Sequence, residues 1–159
     1  MMIRISESAI KVMEAQGEKD FPNECCGFLY GTDGDIRKIL DARPVINSRE
    51  GDQRRRFTIS PQDYMAAERY ALENNTTLLG IYHTHPNHPA IASEHDRRQA
   101  MPYFSYVILS VQEGKSDHLR SWRLLDEVDE TSFQTFGEEE IDALPARLRV
   151  QVQAGNANK

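Results

Sequence analysis

Cysteine is almost absent from this sequence. The chain of 159 residues contains two cysteines, Cys25 and Cys26, and they are adjacent. Neighbouring cysteines on one strand seldom reach the Cα separation and orientation that a disulfide needs, so no structural intrachain disulfide is expected. Both could be nucleophiles, but adjacent thiols at the start of an apolar run are more often core residues. The missing disulfide fits a reducing compartment, and the sequence predicts a cytoplasmic protein.

Long apolar runs are also missing. No stretch reaches the roughly 20 apolar residues that a membrane-spanning helix requires. The first residues, from Met1 to Ser6, contain no apolar core of signal-peptide length and no small-residue cleavage site. We therefore expect no membrane partner.

An excess of positive charge is the third absence. The chain carries 19 Lys and Arg against 25 Asp and Glu, which gives a formal net charge of −6 at pH 7. A nucleic-acid-binding domain normally shows a basic face, so this balance argues against a nucleic-acid partner. The basic runs Arg54-Arg55-Arg56 and Arg97-Arg98 are short and are interpreted as solvated surface.

The pattern of apolar residues indicates strands mixed with helices. Ser6 stands where the N-cap of a first helix is expected, and Pro61 is a good first residue for a helix over residues 61–74. A short helix is expected within residues 93–101. Strands are predicted at residues 2–5, 25–30, 35–45, 56–60, 77–82, 106–111 and 119–125. The sequence thus predicts an α/β fold, a single domain with a mixed β-sheet flanked by helices.

The apolar pattern fades toward the C-terminus. Residues 131–136 are predicted as a last strand, and the acidic run Glu138-Glu139-Glu140 follows. We therefore place the domain at residues 1–137. Residues 138–159 are predicted to be a polar C-terminal tail, partly disordered, with about the last ten residues frayed.

Two histidines follow the strand predicted for residues 77–82. His83 and His85 are two positions apart, so their side chains point to the same side of an extended segment. Pro86 then ends the strand and forces a turn, after which Asp96 can offer a carboxylate oxygen. Three such ligands leave one tetrahedral position open, which is typical of catalytic zinc sites. The spacing therefore indicates a catalytic metal site.

Each part of this set also has a simpler interpretation. An isolated His-x-His pair is more often a surface or core pair than a metal site. Ser93-x-x-Asp96 matches the start of a helix, where the Ser hydroxyl accepts an N–H from the first turn. We expect that a Ser93 oxygen engaged in this way does not also point at a substrate. Glu24, taken alone, is an exposed carboxylate before a strand.

The remaining histidines are not expected to bind metal. His88 lies in the spacer after Pro86 and should be a loop residue near the mouth of the site. His95 is next to Asp96 and points elsewhere on a helix, and His118 is far along the chain.

The joint pattern resembles the JAMM (MPN-plus) metallopeptidase family. Its signature is an upstream Glu, then His-Ser/Thr-His-Pro, a seven-residue spacer and Ser-x-x-Asp, and His83-Thr84-His85-Pro86 and Ser93-x-x-Asp96 match it. Other segments are similar to family motifs: Glu24-Cys25-Cys26-Gly27-Phe28-Leu29-Tyr30-Gly31, Phe57-Thr58-Ile59-Ser60-Pro61, Gly80-Ile81-Tyr82, Tyr106-Val107-Ile108 and Arg120-Ser121-Trp122-Arg123. The resemblance covers roughly residues 2–136.

The resemblance implies a JAMM/MPN fold, which is cytidine-deaminase-like, and a role for each residue of the signature. His83, His85 and Asp96 would bind Zn²⁺. Glu24 would take a proton from the water on that ion and pass it to the leaving amine. Ser93 would donate to the oxyanion of the tetrahedral intermediate, and one such donor is worth about 3–4 kcal/mol in the transition state.

Within the family, the chain is similar to the compact bacterial subgroup. JAMM enzymes that cleave linkages of ubiquitin-like proteins usually carry insertions around the site, and the segments at 47–55 and 101–103 are short here. The compact subgroup is linked to sulfur-carrier proteins with a ubiquitin fold and a Gly-Gly end. The resemblance implies a zinc peptidase that cleaves after the C-terminal Gly-Gly of such a carrier, whose tail would pair with a sheet edge.

Three other functions are alternatives to this one. A broader isopeptidase, similar to deubiquitinases, is the nearest alternative. A non-catalytic MPN scaffold is another, although related scaffold domains typically lack the metal ligands that this chain keeps. A zinc nucleobase deaminase would need His-x-Glu and Pro-Cys-x-x-Cys, and the sequence has neither. The sequence does not indicate the oligomeric state.

Overall fold

Seven strands form one sheet that closes on itself. The computed structural model describes residues 1–125 and 135–150. The strands follow each other around a barrel in the order β1-β3-β2-β4-β5-β6-β7. Their bounds are β1 Met2–Ile5, β2 Cys26–Thr32, β3 Arg37–Val45, β4 Thr77–Pro86, β5 Ser105–Gln112, β6 Lys115–Leu124 and β7 Phe136–Asp142.

Helices begin at serines in all three places where the described chain forms an α-helix. The helices are α1 (Glu7–Asp20), α2 (Pro61–Glu73) and α3 (Glu94–Gln99), and a 3₁₀ turn covers Ala146–Leu148. The hydroxyls of Ser6, Ser60 and Ser93 each accept a backbone N–H of the first turn, which satisfies a donor that the helix itself leaves free. Across the described ranges, none of these helices is long and apolar enough to span a membrane.

The sheet is mixed, as the sequence predicts. β4 runs parallel to β5, and β1 runs parallel to both β3 and β7, whereas the other neighbours are antiparallel. The expectation of a sheet flanked by helices is only partly right. The four residues of β1 join the two ends of the sheet, so most of the architecture is a closed barrel with few helices against it.

Two apolar clusters lie on opposite faces of β2 and β4. Leu29 and Tyr82 pack with Ile10 of α1 in one cluster, and Phe28 and Ile81 pack in the other, which includes α2. Strands that are covered on both faces read as continuous apolar runs. Side chains alternate along a strand, so His83 and His85 continue the face of Ile81.

The fold extends past the predicted domain end. The boundary at residue 137 falls inside β7, and Leu148 beyond it is fully buried. β7 pairs with both β6 and β1. Its acidic residues do not show the apolar pattern of a strand, so the sequence did not predict it there. Of the last strand predicted at 131–136, residues 131–134 lie outside the described residues. The same holds for the predicted frayed end, residues 151–159.

One strand prediction was wrong. Residues 56–60 form no strand, because the Thr58 backbone bonds to the Asn47 side chain and to the Ser48 N–H instead of to a sheet. Every strand of the barrel has a neighbour on both sides, but β1 pairs only with Arg37–Ile39 of β3, so the rest of β3 pairs with β2 alone. Pairing of a substrate tail with a sheet edge stays a prediction.

Candidate active site

Three side chains converge where β4 faces α3. His83 Nε2 lies 3.2 Å from His85 Nε2. Asp96 Oδ2 lies 3.2 Å from His85 Nε2 and 3.4 Å from His83 Nε2. The three atoms thus form a nearly equilateral triangle, and these residues are a group that could hold a metal ion. The convergence predicted for them from the sequence is present.

The triangle has the size that a tetrahedral zinc ion requires. Ligand atoms about 2.0–2.1 Å from such an ion are about 3.3–3.4 Å apart, and the observed edges are 3.2–3.4 Å. Two imidazole nitrogens at this distance would repel each other through their lone pairs unless a proton or a cation lay between them. The donor set and its spacing therefore fit a metal ion.

Local structure fixes each of the three ligands. His83 and His85 lie on a strand with partners on both sides, since Cys26 of β2 and Ile108 of β5 stand opposite His83. Asp96 is held by a capping box at the start of α3. Its Oδ2 accepts the Ser93 N–H at 2.9 Å, and its own N–H donates to Ser93 Oγ at 3.0 Å. The carboxylate thus cannot turn away without uncapping the helix.

The two histidines are oriented in different ways. His85 donates from Nδ1 to the carbonyl oxygen of Pro89 at 2.8 Å, which leaves the Nε2 lone pair free for a metal. His83 Nδ1 is buried and has no hydrogen-bond partner among the described residues. Its ring stacks on Phe57 instead, with centroids 4.7 Å apart. Phe57 is thus part of the site. Its segment resembled a family motif, but the sequence did not indicate that its ring stacks on His83.

The surroundings of Asp96 keep its carboxyl group deprotonated. Burial alone would raise the pKa of this carboxyl group, but the neighbouring His83 and the hydrogen bond from the Ser93 N–H lower it well below its usual range. Metal binding requires a deprotonated carboxylate. The site therefore presents a charged oxygen at neutral pH.

Glu24 lies beside the triangle and is buried, contrary to its simpler interpretation as an exposed carboxylate. It is only 7% exposed. Burial raises its pKa to about 7, against the opposing charges of His83 and His85. A carboxyl group with such a pKa can both take and give a proton near neutral pH. The loop before α2 holds it in place, since the Glu24 N–H donates to the Gln53 carbonyl at 2.7 Å.

Two cavities meet at Asp96. The first, of about 520 Å³, is here called the acid–base cavity, and its lining includes Glu24, Arg55, Arg56, His85, His88, Ser93 and Asp96. The second, of about 310 Å³, is called the aromatic cavity, and its lining includes Phe57, Tyr64, His83, His95, Asp96 and Tyr106. A chain that passes the metal ligands thus has room on both sides of them.

Ser93 caps α3, which was the simpler interpretation of its pattern. A hydroxyl carries one proton and two lone pairs, and the cap uses a lone pair to accept the Asp96 N–H. The proton remains available, so the expectation that capping excludes a second contact was too strict. Ser93 also lines the acid–base cavity, and its donation to an oxyanion stays a prediction.

The other histidines lie outside the triangle. His88 lines the acid–base cavity, in keeping with a loop position near its mouth, and His95 lines the aromatic cavity. His118 accepts the Ala90 N–H at 2.9 Å, and Trp122 donates to the Ala90 carbonyl at 3.0 Å. These two side chains therefore anchor the spacer between the ligands, a role that the sequence did not reveal.

The two cysteines are core residues. Cys25 and Cys26 are buried and unpaired. Burial raises the pKa of Cys25 to about 12 and that of Cys26 still further. An uncharged thiol is a poor nucleophile, so neither residue is suited to attack a substrate.

Comparison with known proteins agrees with this geometry. The family described as prokaryotic homologs of the JAB domain matches residues 6–125. The desampylase of Haloferax volcanii is 32% identical over 92 residues, which are 57% of this chain and 65% of that protein, slightly under two thirds of its length. The CysO-cysteine peptidase of Mycobacterium tuberculosis is 28% identical over 123 residues, 77% of this chain and 82% of that one.

The fold is shared as well. The solution structure of a Desulfitobacterium hafniense protein matches with a TM-score of 0.74 and 28% identity, and the alignment covers 96% of both chains. The family match spans the three residues of the triangle, Glu24 and five of the seven strands, β2 to β6. The chain therefore belongs to the prokaryotic homologs of the JAB domain, as its JAMM-like signature indicated.

Proposed function

We propose that this protein is a zinc-dependent peptidase that hydrolyses the bond after the C-terminal Gly-Gly of a ubiquitin-like sulfur-carrier protein. The observation that carries the proposal is the triangle of His83, His85 and Asp96 with the buried Glu24 beside it. Two relatives bear the names desampylase and CysO-cysteine peptidase, which supports a peptidase acting on such a conjugate. A carrier protein would then be the partner.

The three ligands would hold one Zn²⁺ ion. Bound there, the ion would supply a Lewis acid that polarises a carbonyl group and lowers the pKa of a water molecule. Asp96 is already ionised, and the His85 tautomer is set by Pro89. The protein thus needs little rearrangement to accept the metal.

Glu24 would transfer the proton, and Ser93 would stabilise the negative charge that develops on the carbonyl oxygen. Glu24 accepts a proton from the attacking water and returns it to the leaving nitrogen, which its pKa of about 7 allows near neutral pH. Ser93 keeps its cap on α3 and directs its remaining proton at the carbonyl oxygen. Both residues line the acid–base cavity.

These roles determine which cavity holds the group on each side of the scissile bond. Glu24 must reach the leaving nitrogen, so the released group occupies the acid–base cavity. The carrier tail then lies in the aromatic cavity, between Phe57 and Tyr64. Residues without a Cβ atom pass such walls most easily, which supports a Gly-Gly end.

The experiment combines metal content with cleavage of a carrier that ends in Gly-Gly-Cys. We expect one zinc ion per chain and release of cysteine for the wild type. His85→Ala should lose both metal and activity. Glu24→Gln should keep the metal and lose most of the turnover, and Glu68→Gln, which changes an exposed carboxylate of α2, should keep both.

Two results would count against the proposal. A fully active Glu24→Gln variant would remove the assigned role of Glu24. Equal cleavage of carriers that end in Gly-Gly-Cys and Gly-Ala-Cys would contradict the selection of Gly-Gly, even with the metal site intact.

A further inference from the structure

We propose that Arg55 and Arg56 bind the free α-carboxylate of the released group, so that the protein removes a single C-terminal amino acid rather than a lysine-linked protein. The inference rests on the proposed function, because that function places the released group in the acid–base cavity. It assigns a substrate class to this cavity and decides between the peptidase and the broader isopeptidase.

The two arginines lie on the same cavity as Glu24 and Ser93. The side-chain amide of Asn47 donates to the carbonyl oxygens of Glu24 and of Arg56, both at 3.1 Å. One side chain thus ties the backbone of the basic segment to the backbone of the acid–base residue. The backbone position of Arg56 relative to Glu24 is therefore set by the fold, and Arg55 precedes it in the chain.

Neither arginine forms an ion pair with a carboxylate within the described chain, although the charge of Arg56 lowers the pKa of the nearby Glu24 against the larger effect of burial. Arg56 donates from its guanidinium group to the Arg55 carbonyl at 2.8 Å. By contrast, Arg4 and Arg98 contact carboxylates at 2.6 and 2.7 Å. In a chain of net charge −6, two cations beside a cleft that form no ion pair favour an anionic ligand.

The released group has an anion at the required place only if it is a C-terminal amino acid. The carboxyl carbon of an amino acid lies about 2.5 Å from its own nitrogen, by ordinary bond lengths and angles. The carboxylate would therefore lie close to Glu24, where negative charge is opposed unless a cation is present. A guanidinium group binds a carboxylate with two parallel hydrogen bonds.

A lysine-linked substrate has no such group. Its leaving nitrogen is followed by methylene groups, which gain nothing from two arginines. The cations would then stand beside an apolar stem and keep their charge unpaired. The basic lining thus discriminates between the two substrate classes by charge.

The test uses three carrier substrates that differ only after Gly-Gly. One ends in cysteine with a free carboxylate, one in cysteine carboxamide, and one is linked to the side chain of a lysine peptide. For the wild type we expect kcat/KM to be about 10- to 100-fold higher for the free carboxylate than for the carboxamide, which is the range for a hydrogen-bonded charged group. The lysine-linked substrate should be the poorest.

Variants then locate the effect. Arg55→Gln and Arg56→Gln should raise KM for the carboxylate substrate and leave the carboxamide unchanged, while zinc content stays at the wild-type level. Arg56→Lys should restore part of the preference. The matched control is Arg54→Gln, which changes an exposed neighbour that does not line the cavity and should leave both substrates unchanged.

The outcomes that overturn the inference differ from those that overturn the function. Equal wild-type cleavage of carboxylate and carboxamide would exclude carboxylate recognition and leave the peptidase in place. An equal loss on both substrates in the arginine variants would assign these residues to the carrier surface instead. A zinc-loaded wild type that cleaves none of the three substrates would overturn the proposed function, and this inference with it.

Discussion

Burial of Glu24 couples the chemistry of the site to the stability of the metal-free protein. The pKa of this carboxyl group rises from 4.5 to about 7 on folding, so the folded state holds its proton more tightly than the unfolded state does. As the pH rises from about 4.5 to 7, the unfolded state ionises first and the folded state loses stability. The total loss is about 3 kcal/mol at 1.36 kcal/mol for each pKa unit.

Metal-free Glu24→Gln should therefore be more stable than the metal-free wild type at pH 8, by up to about 3 kcal/mol. Below pH 4.5 the two proteins should be equally stable. Urea unfolding of both proteins at several pH values measures the difference, with the exposed Glu68→Gln as control. If the free energy of unfolding changed with pH in the same way for the wild type and for Glu24→Gln, the pKa of Glu24 would not be raised in the folded protein.

Sequence motifs identify the residues that could hold a metal ion better than the residues that position them. His83, His85 and Asp96 are recognisable because metal binding demands their residue types at that spacing. Phe57 and His118 are not, because a stacking contact and a hydrogen bond to a distant backbone depend on where the chain folds. The same limit applies to Glu24, whose burial follows from the loop that covers it.

Among the elements, α3 shows how one short helix can place two functional groups. Ser93 accepts the Asp96 N–H, and Asp96 accepts the Ser93 N–H. Loss of the serine oxygen would thus remove both the helix cap and the proposed hydrogen-bond donor to the oxyanion. The two contributions can be separated, because glycine is tolerated at an N-cap and alanine is not.

Ser93→Gly should keep the metal and lower kcat by about 10²–10³, as loss of one oxyanion donor does elsewhere. Its stability should fall by only a few tenths of a kcal/mol, whereas Ser93→Ala should lose about 1 kcal/mol. Ser93→Thr keeps both functions and serves as control. The measurements are kcat, zinc content and thermal unfolding. If Ser93→Gly turned over substrate at the wild-type rate, Ser93 would cap α3 and would not act as an oxyanion donor.

β7 shows why an element can escape sequence analysis. Glu139 in its centre is turned inward, where it accepts from Ser121 at 2.9 Å and lies 2.5 Å from Arg123. Strand patterns are recognised by inward apolar residues, and here the inward residue is charged. By contrast, the strands over residues 77–86 and 105–112 are buried along nearly their whole length and contain apolar runs. These runs predicted strands at 77–82 and 106–111, which lie inside the observed bounds.

The buried ion pair predicts a sharp contrast between neighbours in β7. Glu139→Ala leaves Arg123 partly buried without its partner and should cost about 3–5 kcal/mol. Glu138→Ala removes a half-exposed pair with Arg120 and should cost at most about 1 kcal/mol. Chemical denaturation of both variants measures the two values. Equal values would show that Glu139 contributes no more than a surface charge.

At the scale of the whole molecule, closure is the feature that the sequence did not predict. The strand content and the mixed pairing follow from local patterns and turns. Whether the sheet closes depends on which strands meet through β1, and its four residues carry too little pattern to specify two partners. The family match also ends at residue 125, before the strand that completes the barrel.

A chain that ends at residue 137 tests this closure. Residues 138–142 of β7 pair with Trp122 and Ser121 on one side and with β1 on the other, and Leu148 fills the core beyond them. Without them β1 keeps one neighbour, and the fully buried Ile3 and Leu119 lose part of their cover. We expect no cooperative thermal transition and no retained zinc, whereas a chain that ends at residue 150 should show both. If the shorter chain melted cooperatively with zinc bound, the boundary predicted from the sequence would be the true end of the folding unit, and β7 would be dispensable to the site.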